Sequence, residues 1–183
     1  MKKTELQNNL AMTITLISGA MLFTTLFMGY AIYRTSAGQW PPLGVGEVSL
    51  VLPSVSTLMI LVSSWFCYQV RLSTAKKDFK TASNHLNLTL ALGVAFMGVQ
   101  GALWAYLKNV GLYVSSGIFA SILYAFTWIH AAHMVCGIGA LVYLRFVLKP
   151  ERPGITSLVA NTEKFWHFLG VVWLVMYFGL FVF

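Results

Sequence analysis

Apolar residues run along this chain in five long stretches, separated by short polar segments. The stretches cover 10–33, 48–70, 86–107, 109–144 and 165–183, and none of them contains Asp, Glu, Lys or Arg. An α-helix of about 20 apolar residues, rising about 1.5 Å per residue, crosses the hydrocarbon core of a bilayer. Because the stretches are continuously apolar and do not alternate, they predict membrane-spanning helices and not the strands of a barrel.

The fourth stretch is long enough for two crossings, and the flanking positive charges distinguish the two possibilities. With one crossing, ten Lys and Arg residues lie on the side of the N-terminus, against Arg34 and Lys108 opposite, whereas two crossings divide them six against six. The ten are Lys2, Lys3, Arg71, Lys76, Lys77, Lys80, Arg145, Lys149, Arg152 and Lys164. One crossing is therefore predicted, with 109–115 as an outer loop.

The predicted fold is an all-α polytopic bundle of five transmembrane helices. The N-terminus is expected in the cytoplasm and the C-terminus outside, and residues 1–183 are expected to form a single membrane domain. The helices are predicted at 10–33, 48–70, 86–107, 116–146 and 165–183.

Composition agrees with this class and narrows the function. The chain is 58% hydrophobic and 9% charged, with a mean hydropathy of +0.75, outside the range of soluble domains. The net charge of +7 does not indicate nucleic acid binding, because no basic stripe is interleaved with aromatic residues. Cys67 and Cys136 both lie in apolar stretches and are expected to be small buried hydrophobes.

Histidines are the main candidates for chemistry. His130 and His133 are three residues apart and share a helix face, and His167 begins the fifth stretch. A haem or metal site would need these imidazoles to converge, each oriented by an acceptor such as a carboxylate. The stretches contain no carboxylate, and His167 is expected nearer the cytoplasmic side than the other two. Neutral, hydrogen-bonded packing histidines are therefore expected, with an independent haem-binding membrane cytochrome as the rival.

Other classes of activity find little support along the chain. There is no Ser/His/Asp set, no pair of carboxylates and no Gly-rich phosphate loop, and the uncharged stretches disfavour an ion channel or a proton-coupled transporter. Glycines in the third and fourth stretches, among them Gly93, Gly98, Gly137 and Gly139, predict close helix packing. From its residues alone, the chain is expected to be an accessory or packing subunit.

Several segments, in order along the chain, resemble subunit III of the haem-copper terminal oxidases. Residues 165–173, Phe-Trp-His-Phe-Leu-Gly-Val-Val-Trp, are similar to that family's closing Tyr-Trp-His-Phe-Val-Asp-Val-Val-Trp. Residues 128–134, Trp-Ile-His-Ala-Ala-His-Met, resemble its Phe-His-Gly-Leu-His-Val segment. Further similarities lie in Trp-Pro-Pro-Leu-Gly at 40–44, in Pro53 with the segment 56–64, and in Phe-Met-Gly-Val-Gln at 96–100.

The resemblance implies the short, five-helix form of a non-catalytic subunit in a bacterial cytoplasmic membrane. Such a subunit holds no redox centre, packs beside catalytic subunit I, and shelters phospholipid, while haem and copper belong to partner subunits. It is also expected to sustain proton entry into the catalytic subunit. Three departures stand out: Gly19 follows Ser18 where the family often has Glu, Gly170 replaces the Asp of the closing motif, and a Glu expected after Gln100 is absent.

No residue is expected to be catalytic, cofactor-binding or metal-binding. The structural or lipid-cleft candidates are Trp40, Pro41, Pro42, His130, His133, Trp166 and His167. The complex would be a cytochrome c or quinol oxidase that reduces oxygen and pumps protons. The alternative within the same superfamily is the accessory membrane protein of nitric oxide reductase.

Overall fold

Five long helices make up nearly all of the protein in a computed structural model, which describes residues 2–37, 49–150 and 152–182. They are α1 (Lys2–Ser36), α2 (Val51–Ala75), α3 (Phe79–Asn109), α4 (Ile118–Val147) and α5 (Ile155–Met176), the last continuing as a π-helical segment, Tyr177–Val182. All five are long and apolar enough to cross a membrane, and no strand occurs in the described ranges. The five predicted spans, including the single crossing in the fourth stretch, are confirmed.

Three helices begin well before the uncharged stretches that predicted them, and the first of these is α1, which begins at Lys2, ahead of the predicted 10. Helix α3 begins at Phe79, ahead of the predicted 86, and α5 begins at Ile155, ahead of the predicted 165. The α3 start is capped by Asp78, whose carboxylate accepts a hydrogen bond of 3.0 Å from the Thr81 amide. These bounds were predicted too short because charged residues mark where a span leaves the hydrocarbon, whereas a helix continues beyond it.

Helices α2, α3, α4 and α5 form the packed core. Helix α2 packs against α3 and α5, and α4 packs against the same two helices from the other side. The turn between α3 and α4 is closed by the Tyr124 hydroxyl, which donates to the Leu112 carbonyl at 3.0 Å. Helices α3 and α5 therefore each contact both α2 and α4.

Helix α1 lies along the outside of this core, against α5. Only 6% of the residues in the apolar segment of α1 are buried, compared with 28–39% in the apolar segments of the other four helices. The contact depends on two glycines: a Cβ on Gly19 would lie 3.0 Å from the Phe168 ring, and one on Gly179 would lie 3.2 Å from the Phe27 ring. Close packing of rings on glycines helps to attach α1, because the hydrophobic effect does not drive helices together in lipid. Hydrogen bonds from Ser157 and Asn161 to Asn9 add to this contact.

Candidate functional site

Trp166 occupies the centre of the helical core. Its side chain is fully buried, and its indole fits between two glycines, since a Cβ on Gly93 of α3 would lie 2.7 Å from the ring and one on Gly137 of α4 would lie 3.2 Å from it. The indole Nε1 donates a hydrogen bond of 3.1 Å to the Ser63 hydroxyl on α2. Ser63 in turn donates to the Thr89 carbonyl of α3 at 3.1 Å. One side chain of α5 thus contacts all three other core helices.

Trp173 repeats this arrangement two turns further along α5. Its Nε1 donates to the Thr57 hydroxyl of α2 at 3.0 Å. Its ring centroid lies 5.0 Å from that of Phe96 on α3 and 5.6 Å from that of His130 on α4. The two tryptophans of the closing motif therefore connect the same four helices at two depths.

A buried carboxylate lies on the same helix and corrects one expectation. Glu163, with its side chain 8% exposed, is placed inside α5 because that helix begins at Ile155. Its Oε2 lies 2.8 Å from the Nε of Arg71 on α2, and its Oε1 lies 3.5 Å from the Nε2 of His167. The expectation that no carboxylate is available to the histidines was therefore wrong for His167, because Glu163 is held in the bundle by its pairing with Arg71.

The other two candidate histidines have neighbours different from those of His167. His130 is 1% exposed, and its ring lies 6.2 Å from that of Phe23 and 6.0 Å from that of Phe96. His133 donates from Nδ1 to the Ile129 carbonyl at 2.8 Å, and its ring lies 5.4 Å from that of Phe23. Within the described ranges, no group of three or more His, Cys, Asp and Glu is placed to hold a metal ion.

A groove of about 420 Å³ runs between α1, α4 and α5. Residues lining it include Ile14, Ser18, Leu22, His133, Cys136 and Phe168. Cys136 is exposed here, whereas Cys67 is 3% exposed in the core. The expectation that both cysteines are buried was therefore wrong for Cys136, because α1 leaves this side of α4 open.

The remaining sequence candidates, Trp40, Pro41 and Pro42, lie outside the described residues. The structure adds residues that join the helices and that the sequence had not singled out as a set: Ser63, Arg71, Gly93, Gly137 and Glu163. One sequence signal for Glu163 was available, because it lies four residues before His167 and so shares its helix face.

These features define a class: a multi-pass helical membrane protein whose interior polar side chains join its helices. Comparison with known proteins identifies the family within this class. Residues 3–183 match the cytochrome c oxidase subunit III family. The chain belongs to this family, and as a subunit III it belongs with other subunits in an oxidase complex.

Individual relatives include subunits 3 of cytochrome c oxidases and of a quinol oxidase. The chain is 31% identical over 178 residues to a cytochrome c oxidase subunit 3 of Thermostichus vulcanus, covering 94% of this chain and 86% of the relative. It is 28% identical over 167 residues to the subunit 3 of a Synechocystis strain, covering 88% and 70%. A quinol oxidase subunit 3 of Bacillus subtilis is 27% identical over 178 residues, covering 96% and 86%.

Proposed function

We propose that this chain is a non-catalytic subunit III of a proton-pumping respiratory haem-copper oxidase, where it stabilises subunit I and holds phospholipid. Oxygen reduction belongs to the complex, with haem and copper in the partner subunits. The chain would reside in a bacterial cytoplasmic membrane and could serve a cytochrome c oxidase or a quinol oxidase, because relatives of both descriptions match it.

The observation that carries this proposal is that Trp166 joins the four core helices. In the closing motif, 165–173, Trp166 packs between two glycines of neighbouring helices. Both tryptophans of the motif also donate hydrogen bonds to α2, one to the Ser63 hydroxyl and one to the Thr57 hydroxyl. The carboxylate of Glu163 is likewise paired across helices with Arg71. The polar groups of Trp166 and Glu163 thus fix the relative positions of helices, which is what a structural subunit requires.

The groove between α1, α4 and α5 supports the lipid-holding part of the proposal. Its walls are largely apolar, with Ile14, Leu22 and Phe168 facing the space, and its volume of about 420 Å³ suits an acyl chain. Helix α1 forms one wall while burying little of its own surface, so lipid has access from the bilayer. The predicted site residue His133 lines this groove.

The proposed orientation places the N-terminus in the cytoplasm. The turn between α2 and α3 carries Lys76 and Lys77, and the connection from α4 to α5 carries Lys149 and Arg152. The excess of positive charge at these two connections supports a cytoplasmic location for both. The C-terminal end of α5 would then face the outside.

Purification through a tag on this chain in mild detergent tests the assignment of partners. We expect a larger haem-containing membrane subunit with oxygen-reducing activity to be recovered with it. Recovery of the chain alone, monodisperse and stable, would contradict the proposal. Recovery with nitric oxide reductase subunits would favour the alternative function within the superfamily.

A visible spectrum of the separated chain distinguishes the haem-binding rival. A stoichiometric Soret band that is lost on His133→Ala would sink the structural assignment. For the lipid, phospholipid bound to the purified complex is counted by mass spectrometry. Ser18→Trp, which fills the groove, should reduce the count, whereas Ile17→Trp, at a 55% exposed position outside the groove lining, should not.

A further inference from the structure

Five side chains carry buried polar atoms that have no hydrogen-bond partner within the described ranges, and three of the five are the most deeply buried. In these three, the atoms are the Oγ of Ser56 on α2, both amide atoms of Gln100 on α3, and both ring nitrogens of His130 on α4. Each of the three residues is only 1% exposed. Burying so many polar atoms without partners would cost free energy comparable to the whole stability of a domain, so each such group requires an explanation.

Gln100 and His130 lie on facing sides of α3 and α4. Phe96, one turn before Gln100 on the same face of α3, has its ring 6.0 Å from that of His130. Trp104, one turn after Gln100, donates from Nε1 to the Thr127 hydroxyl of α4 at 3.1 Å. Gln100 therefore lies between two contacts of α3 with α4. One joins Phe96 to His130, and the other joins Trp104 to Thr127, about one turn before His130.

Ser56 of α2 lies at the same depth in the bundle as Phe96 and the His130 ring. The next residue, Thr57, accepts a hydrogen bond from Trp173, whose ring packs at 5.6 Å from the His130 ring. Helices α2 and α3 run antiparallel, and Ser63 bonds to the Thr89 carbonyl, so continuing this register by two turns places Ser56 opposite Phe96. The three polar residues thus lie within about one helical turn of the level marked by Phe96 and Trp173.

We propose that Ser56, Gln100 and His130 form an internal water-binding site, with at least one water molecule bonded to both Gln100 and His130. The Gln100 amide supplies two donor hydrogens and an acceptor, the neutral imidazole supplies one donor and one acceptor, and the Ser56 hydroxyl supplies both. Water matches this mixture because it donates and accepts in equal number. An anion or a cation would use only one half of the set.

This site goes beyond the proposed subunit role and does not depend on it. It differs from the Trp166 hydrogen bonds, which run directly between side chains, because here the connection between α3 and α4 passes through solvent trapped in the membrane interior. A fully bonded polar set of this kind stabilises one arrangement of its helices.

Solid-state NMR on the full chain in bilayers tests the water directly. The chain has four histidines, so protein labelled with ¹⁵N-histidine gives few ring signals, and the His130 signal is assigned by its loss in His130→Phe. We expect magnetisation transfer from water to the His130 ring, reduced severalfold in Gln100→Met. The absence of transfer to His130, or transfer unchanged in Gln100→Met, would overturn the shared site.

A stability measurement provides a second, independent test. Met has nearly the shape of Gln and no hydrogen-bonding amide, so Gln100→Met should lower the melting temperature if water joins Gln100 to His130. If the amide atoms are truly unpaired, the same substitution should raise it, and the proposal fails. Gln69→Met, at a half-buried position on α2, is the matched control and should change little.

Discussion

The indole Nε1 of Trp166 donates a 3.1 Å hydrogen bond to the hydroxyl of Ser63, a residue 103 positions earlier in the chain. The bond connects α5 to α2, and the Ser63 hydroxyl passes the connection on to the Thr89 carbonyl of α3. Trp166 thus combines a buried aromatic surface with a polar group that has a specific partner. The stability of the bundle should depend strongly on this residue.

Truncation of Trp166 tests that dependence. Trp166→Ala should lower the free energy of unfolding by about 3–5 kcal/mol, because it leaves a cavity between four helices. Trp166→Phe should cost less, about 1–3 kcal/mol, because it mainly leaves the buried Ser63 hydroxyl without its donor. Unfolding by denaturing detergent, followed by circular dichroism, measures both. Trp65→Ala, at a 55% exposed position, is the control and should change stability by less than about 0.5 kcal/mol.

Two glycines on α4 provide a matched pair of substitutions. A Cβ on Gly137 would lie 2.7 Å from a Leu169 methyl carbon and 3.2 Å from the Trp166 ring, whereas one on Gly139 would meet nothing within 4 Å. Gly137→Ala should therefore destabilise the bundle by about 1–3 kcal/mol through overpacking. Gly139→Ala should be neutral or stabilising by up to about 1 kcal/mol, because Ala is the better helix former. Equal melting temperatures for the two variants would contradict the close packing of Trp166 and Leu169 against Gly137.

The ion pair between Arg71 and Glu163 should respond asymmetrically to substitution. Arg71→Gln leaves the Glu163 carboxylate, 8% exposed, without its cationic partner and beside His167, whereas Glu163→Gln leaves an arginine that is 45% exposed and still solvated. Arg71→Gln should therefore be the more destabilising change. Both losses should fall below the about 3–5 kcal/mol expected when a fully buried pair is broken.

A double-mutant cycle measures that coupling. The double variant Arg71→Gln, Glu163→Gln should recover part of the loss seen in Arg71→Gln, because no charge is then left unpaired in the bundle. Lys164→Gln, next to Glu163 but exposed, is the control and should have little effect. Additive losses for the two single variants would show that the contact carries no coupling energy.

The cap at the start of α3 should be sensitive to acid. The hydrogen bond from Thr81 holds the pKa of the Asp78 carboxyl below its ordinary value of 3.8. Since the folded-state pKa is the lower one, the contribution of the cap is complete above the unfolded-state pKa and is lost as pH falls through the folded-state pKa. Hydrogen exchange of the Thr81 amide should therefore lose protection at strongly acidic pH.

Substitutions at Asp78 separate charge from hydrogen bonding. Asn also caps helices well and does not titrate, so Asp78→Asn should keep the protection of the Thr81 amide and remove its dependence on acid. Asp78→Ala should lose the protection at every pH. If Asp78→Ala protects the amide as well as the native residue does, the cap contributes nothing to the start of α3.

Much of the fold could be predicted from the sequence because a bilayer imposes simple demands. Uncharged stretches of sufficient length predict spans, and the charges around 109–144 correctly favour one crossing over two. The same criterion misplaced the start of α5 and therefore missed Glu163, since a rule that treats charge as the end of a span cannot see a carboxylate paired across helices. The bonds of Glu163 involve Arg71, a residue far away in sequence.

The packing inside the core was less accessible to sequence reasoning. Gly93 and Gly98 look alike in an apolar stretch, yet only Gly93 faces an aromatic ring, and Gly98 has open space around it. Which glycine receives Trp166 depends on the rotation of α3 and α5 about their axes, and this rotation is set by contacts between distant parts of the chain. The histidines illustrate the same limit. Glu163 lies four residues before His167 and is a local signal, but the placement of His130 and His133 beside Phe23 of α1 depends on contacts between distant parts of the chain.

The seating of Trp166 between Gly93 and Gly137 has a consequence for how homologous sequences diverge. The three positions share one volume, so a side chain larger than glycine at 93 or 137 is compatible only with a smaller ring at 166. The substitutions that are tolerated at any one of these positions are therefore limited by the residues at the other two, although the three positions belong to three different helices. Positions 93, 137 and 166 should covary as a unit, whereas 98 and 139 should vary independently of it.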